Sequence, residues 1–229
     1  PAAPTSLVAI GVSISQIDLT WVDNATNETG FNLDRAGNAS FNGPVIVILG
    51  NNTTSFTDTN VSSGTTYYYR ISAHNASGNS AFSNTASTTT PSPVTYTITS
   101  SATGNGSITP AGAVILNSGD SQAFAIAPAA GYHTATLTVD GIGVPVAGSY
   151  TFNSVTANHT IEAAFAINTY TLTYTAGANG TISGTSPQTV NYGASGTAVT
   201  AVANTGYRFV NWSDASAANP RTDSGVTAN

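Results

Sequence analysis

Apolar side chains recur at every second position through much of the chain, as in Ile17, Leu19 and Trp21, then Phe31 and Leu33 leading to Arg35, then Tyr67, Tyr69, Ile71 and Ala73. Alternation of this kind turns one face of an extended segment to a core and the other to water, so it predicts β-strands. Clusters rich in Asn, Gly, Asp and Ser separate the runs, at Asp23–Asn27, Leu49–Asn52 and Ser62–Gly64. These residue types accept turn conformations at low cost. No stretch of comparable length repeats at helical spacing, and the chain is predicted to be all-β, built of small tandem β-sandwich modules.

Ser87–Val94, STTTPSPV, holds two prolines and no apolar alternation, and it predicts a stiff extended linker. Beyond it the chain repeats itself. TYTITSSATGNGSIT from Thr95 matches TYTLTYTAGANGTIS from Thr169, 74 residues later. Asn117-Ser118-Gly119 answers Asn191-Tyr192-Gly193, Gly131-Tyr132 answers Gly206-Tyr207, and Val155–Asn158 answers Val226–Asn229. Three domains follow: residues 1–91, 92–167 and 168–229. The first copy continues past Asn158 with the strand pattern HTIEAAFA, from His159 to Ala166, which has no counterpart in the second. The third domain is therefore expected to lack its last strand and to expose an unpaired edge. Either the natural protein continues past Asn229, or a neighbouring molecule supplies the strand by β-augmentation.

Several of these motifs resemble known families. Pro4 and Leu7, Trp21 in LTW, the GFNLDR run, Phe56, and GTTYYYRISAHNASGNSAFS together resemble a fibronectin type III domain. That resemblance implies a tyrosine corner at Tyr67, with the ring in the core and the hydroxyl bonded back to the backbone. TYTIT or TYTLT, then NGSI or NGTI, the Gly-Tyr pair, VDG or NWSD, and TANHTI resemble the divergent internalin-B-type B-repeats of bacterial extracellular proteins. Such modules occur in surface adhesins, cell-wall proteins and secreted polysaccharide-degrading enzymes, so the resemblance implies extracellular or cell-surface display and no reaction.

Composition narrows the chemistry. Only 6% of the 229 residues are charged, the net charge is −6, and the four cations are Arg35, Arg70, Arg208 and Arg221. Four scattered arginines do not form the basic surface that nucleic acid or an anionic bilayer requires. Without cysteine the chain has no disulfide, thiolate metal site or haem-attachment motif. No apolar run is long enough to span a bilayer, and the start PAAPTSLVAI has no signal-peptide character and no initiator Met. The chain is accordingly expected to be a processed product or a segment.

Gly119-Asp120-Ser121 has the form of an esterase nucleophile motif, but Gly193-Ala194-Ser195 stands in the second copy, so the position tolerates alanine. His74, His133 and His159 have no metal-ligand spacing, and His74, beside inward Ala73, is expected to point outward. Glu28 and Glu162, the two glutamates, belong to different domains and so do not pair for glycoside hydrolysis. Asp23 and Glu28 are candidate calcium ligands in a loop that otherwise reads as a capped turn. Tyr68, Tyr192 and Trp212 are candidate glycan-stacking aromatics, although a tryptophan in VNWSD is expected to be core and Tyr68 an outward strand residue. Asn38 and Asn60 in Asn-x-Ser sequons, and the run Thr88-Thr89-Thr90, are candidate glycosylation sites.

The expected function is non-catalytic and needs no cofactor: an extracellular module array, either a subunit of a surface filament or a rod-like segment of an adhesin involved in cell adhesion. Its expected partners are other copies of itself or neighbouring modules, with glycans a further candidate. The alternative is a spacer or carbohydrate-binding accessory region of a secreted polysaccharide-degrading enzyme.

Overall fold

The computed structural model describes residues 1–229. The chain is all-β, has no helix, and forms two compact units, Pro1–Val94 and Thr95–Asn229.

In the first unit β1 (Thr5–Ser13), β2 (Gln16–Val22), β3 (Gly30–Ala36), β4 (Val45–Gly50), β5 (Ser55–Asp58), β6 (Thr66–Asn75), β7 (Gly78–Asn79) and β8 (Ala86–Thr89) make two facing sheets. One sheet has the order β1-β2-β5; the other runs β4-β3-β6-β7, with β8 also paired to β6. This is the fibronectin type III-like sandwich. The predicted alternation sets its core, because Ile17, Leu19, Phe31, Leu33, Tyr69, Ile71 and Ala73 are all buried. Trp21 meets Phe31 edge to face at 6.0 Å. Tyr67 makes the corner contact, its hydroxyl accepting the Ser62 amide at 2.9 Å.

Two expectations change here. Ser87–Thr89 belong to β8, and the Thr90 hydroxyl is buried, donating to Ser62 O at 2.6 Å and accepting from the Thr65 amide. The extended stretch therefore begins later than composition indicated; threonine is β-branched and suits a strand whether or not apolar residues alternate with it. His74 is only half-buried, but its Nε2 is shut away over Gly30 without a hydrogen-bond partner. A glycine opposite leaves room for an imidazole to lie back on the sheet.

In the second unit the first copy of the repeat is complete. Its strands are β9 (Thr95–Thr103), β10 (Gly106–Thr109), β11 (Gly112–Asn117), β12 (Gln122–Pro128), β13 (Tyr132–Val139), β14 (Ile142–Val144), β15 (Ser149–Phe152) and β16 (His159–Ile167). They form the sheets β11-β9-β16-β13-β14 and β10-β12-β15. β16 is the middle strand, parallel to β9 and antiparallel to β13, and it sends Ile161, Ala163 and Phe165 into a core with Ile98, Phe124 and Leu137.

The second copy has β17 (Thr169–Leu172) paired with β19 (Gln188–Asn191), and β18 (Gly180–Ser183) paired with β20 (Thr200–Ala203). Its turn skeleton matches the first copy bond for bond. Gly119 N donates to Val155 O as Gly193 N does to Val226 O, and the Thr97 amide donates to Asn158 Oδ1 as the Thr171 amide does to Asn229 Oδ1. Residues 207–214, which answer β13, form no strand, and Trp212 is half-buried, not core.

Candidate functional site

The candidates of the first unit are mostly committed to its own backbone. Asp23 Oδ1 accepts the Ala25 amide at 2.9 Å, an Asx turn, and Glu28 Oε1 accepts the Asn52 amide at 3.1 Å across the loop. The two carboxylates thus serve separate turns. Asn38 Oδ1 accepts the Asn42 amide, and both Asn38 and Asn60 are exposed. Of the threonine run only Thr89 is exposed: the Thr88 hydroxyl accepts the Gly11 amide and that of Thr90 is buried, which removes Thr90 as an acceptor for a sugar. Tyr68 is half-buried in β6, opposite Ala36 and Ser87.

Three of the four arginines are neutralised locally. Arg35 Nη1 bonds Asp58 Oδ1 at 2.9 Å, Arg70 Nε bonds Asp34 Oδ2 at 2.9 Å, and Arg221 reaches Asp214 at 2.8 Å and Asp223 at 2.6 Å. Arg70 is also held between the rings of Phe41 and Phe82, 4.3 and 3.8 Å from their centroids. Tyr69 donates to Asp58 Oδ2 at 2.9 Å, and burial followed by that carboxylate raises its phenol far above the ordinary tyrosine value.

The second unit holds two features that bear on function. The first is the join between the copies. Asn168 donates its amide to Gly131 O and accepts the Tyr192 amide on its carbonyl, both at 2.8 Å, while its side chain meets His133 Nδ1 at 2.8 Å. Gly131 has φ of 80°, and a Cβ there would overlap the ring of Tyr192. Tyr192, a candidate glycan-stacking residue from sequence, packs its ring against Gly131 across this join and is 37% exposed.

The second feature is a groove of about 780 Å³, walled on one side by Leu172–Gly177 and on the other by Arg208–Asp214, with Gly180 and Ile182 among the residues between. Trp212 lines it, its Nε1 donating to Ala218 O at 2.7 Å and its ring lying edge-on to Tyr174 at 6.0 Å. Tyr174 donates to Asp223 Oδ2 at 2.7 Å; burial and then this bond push its phenol up to about 12. Hydrogen bonds from Arg221 hold the Asp223 carboxyl below its usual range.

A family model described as the divergent InlB B-repeat domain matches residues 96–169 and again 170–229, more than half of the chain. The chain belongs to this family. The two B-repeats explain the paired turn skeleton, and they also clarify the remaining candidates. Asp120 Oδ2 accepts the Asn117 amide and Ser121 Oγ the Ser154 amide, so both act as turn caps in the first B-repeat, at a corner that Ala194 fills in the second. His159 bonds Asp140 Oδ2 at 2.7 Å and lies near the Phe152 ring.

A curated relative, an alpha-amylase of Niallia circulans, is 38% identical over 97 residues; the match covers 40% of this chain and 7% of the amylase. The B-repeat chain thus spans a small fraction of that relative. Among solved structures, an Fn3-like protein from Clostridium thermocellum is 30% identical over 40% of this chain and 94% of its own, with a TM-score of 0.35. The FN1–FN3 domains of chicken CNTN1 are 23% identical over 40% of this chain and 33% of theirs, with a TM-score of 0.37.

Sequence reasoning missed Asn168 as a latch and Tyr174, Phe209 and Gly180 as groove residues. The signal was present in one case: the repeat offset that aligns NGSI with NGTI also aligns Gly106 with Gly180. The groove also differs from the first B-repeat in kind, with Tyr174 and Trp212 at the places of Ser100 and Leu137.

Proposed function

We propose that the chain is a non-catalytic, extracellular module array that serves as a structural segment of a surface filament or adhesin. The join between the B-repeats carries this reading. A single residue, Asn168, is bonded to the backbone of both copies while Tyr192 closes over Gly131, so the orientation of one repeat on the next is set by hydrogen bonds and packing. Modules joined in this way transmit position from one to the next, which is what a load-bearing or projecting array needs.

The join is testable because the chain has no native cysteine. Spin labels at Ala113→Cys and Thr189→Cys, one in each B-repeat and both exposed, should give a narrow distance distribution by pulsed electron resonance. Gly131→Val, which drives a side chain into the Tyr192 ring, should broaden it. A distribution equally broad without that substitution would count against a stiff array.

The identity to an amylase supports a second reading, an accessory region of a secreted polysaccharide-degrading enzyme. Retention on insoluble starch or cellulose that is lost in Trp212→Ala or Tyr68→Ala would favour it over the purely structural one.

A further inference from the structure

We propose that β4 is the docking edge for a second copy of this chain, which adds its own β4 antiparallel about a two-fold axis. One sheet then runs through two molecules. The contact goes beyond the structural reading above and does not depend on the stiffness of the join at Asn168.

An outermost strand offers a row of unpaired amides and carbonyls, and β-proteins blunt it with lysine, proline, a bulge or shortness. Most outer strands here are blunted. β5, β10 and β15 have four residues each, β14 three and β7 two, while β1 carries register shifts and has its Gly11 amide capped by Thr88 Oγ1. β4 has none of these devices. It is six residues long, VIVILG, with Pro44 just outside it, and it pairs with β3 in unbroken register from Gly30–Gly50 to Arg35–Val45. The strand has no charged residue, and the chain has no lysine at all. β4 ends the order β4-β3-β6-β7, so its far side has no ladder.

Exposure follows the strand. Val47 and Leu49 pack against the core, while Val45, Ile46 and Ile48 are 49%, 57% and 74% exposed, Ile48 more than any other large apolar side chain. β11 is the other six-residue outer strand, GAVILN, but its one large exposed side chain is Ile115.

Self-complementarity names the occupant. A two-fold axis normal to the sheet keeps each face on its own side, and directly opposed residues of an antiparallel pair share a face. With the axis at Val47, Val47 meets itself, Ile46 meets Ile48 of the second copy, and Val45 meets Leu49, so every pair is apolar. Moving the axis to Ile46 sets Ile48 against Pro44, and moving it to Ile48 sets Ile46 against Gly50. Only the first register gathers the isoleucines of both copies on the solvent face. Charge does not oppose it. Beside those isoleucines on β3 lie Asn32 and Asp34, and Asp34 is already bonded to Arg70 at 2.9 Å. Two copies therefore meet without facing like charges.

Size sets the strength. Six residues at about 3.4 Å each make an edge of about 20 Å. Closing it buries roughly 600–800 Å² over both copies, less than the ~1,200–2,000 Å² of stable complexes. The dimer is therefore reversible, with a dissociation constant on the order of 100 μM. Arrays standing side by side raise the local concentration of the edge, and contacts too weak to hold two free chains then hold neighbouring arrays together.

Sedimentation equilibrium of the full chain from about 10 μM to about 1 mM is expected to show the mass rising from 23.0 kDa towards twice that value. Ile48→Lys places a charge opposite Ile46 and should weaken association at least tenfold without moving the thermal midpoint, because the side chain is exposed. Ile115→Lys should leave association unchanged. Register is read by mixing Ile46→Cys and Ile48→Cys chains under mild oxidation: the mixed disulfide should form ahead of either like pair, with no native cysteine to compete. The disulfide readout stands apart from the stability of the lysine variants. A parent that stays at 23.0 kDa throughout, association that survives Ile48→Lys or is lost in Ile115→Lys, or mixed and like disulfides in statistical proportions would overturn the proposal.

Discussion

Asp58 shows how much one side chain carries in a chain with so few charges. Its carboxylate accepts from Arg35 Nη1 and from the Tyr69 hydroxyl, each at 2.9 Å, and caps the Asn60 amide at 3.0 Å; both ionic side chains are largely buried, 12% and 5% exposed. An ion pair of this kind contributes little over an apolar pair of the same volume, but removing one partner leaves the other buried and unpaired. Asp58→Ala is therefore expected to destabilise the first unit by about 3–5 kcal/mol, read from urea unfolding. Loss of less than about 1 kcal/mol, the value of an exposed pair, would show that water reaches Arg35. Nothing in the local sequence distinguishes Asp58 from Asp18, because the difference lies in what the opposite sheet brings to it.

At the scale of the element, close approach of backbone and ring decides where glycine is required. Gly106 in β10 lies beneath the Phe165 ring of β16, whereas Gly180 in β18 has only the Val202 carbonyl near its missing Cβ, at 3.1 Å. Gly106→Val should therefore cost about 1–3 kcal/mol through overpacking. Gly180→Ala, at the aligned position, should cost a few tenths. Thermal melts of the two variants test this directly, and equal losses would mean that the two B-repeats are packed alike. The period-two runs identified β2, β3 and β6 correctly, because for those strands one face is core along the whole length. The same reasoning failed for β8, and the expectation that Trp212 is core failed as well, since it is half-buried. β8 exists because β6 offers it a ladder.

Across the whole molecule, surface polarity comes from Ser, Thr and Asn, and much of the fixed charge lies in short-range pairs. Within Thr95–Asn229 three carboxyls sit below their usual range. Asp140 is lowered by the Thr160 amide and then His159, Asp214 by the Ser216 amide and then Arg221, and Asp223 by Arg221 and then Tyr174. A depressed folded-state value means that the unfolded chain binds protons first, so the stabilisation is present above the ordinary aspartate value of about 4 and is lost as pH falls through the folded values. Tyr174, raised to about 12, acts at the other end, where its contribution fades as pH climbs from the ordinary phenol value of about 10. Denaturant midpoints for this unit should accordingly be flat near neutrality and fall below pH ~4, with a shallower acid limb in Asp223→Asn. An unchanged limb would remove the Arg221 pair from the account. The sequence alone determined the all-β class, the inward faces of the regular strands, the two related repeats and the absence of a basic surface, because alternation, offset and charge are properties of neighbouring or aligned residues. Only the tertiary structure decided that Asn168 and Tyr192 lock one repeat to the next, that Thr90 is buried, and that Leu172–Gly177 and Arg208–Asp214 face each other across an open groove. Each of those depends on which backbone amides and side chains meet across long stretches of chain, and pairing at that range is selected by closing the sandwich, not by the residues on either side.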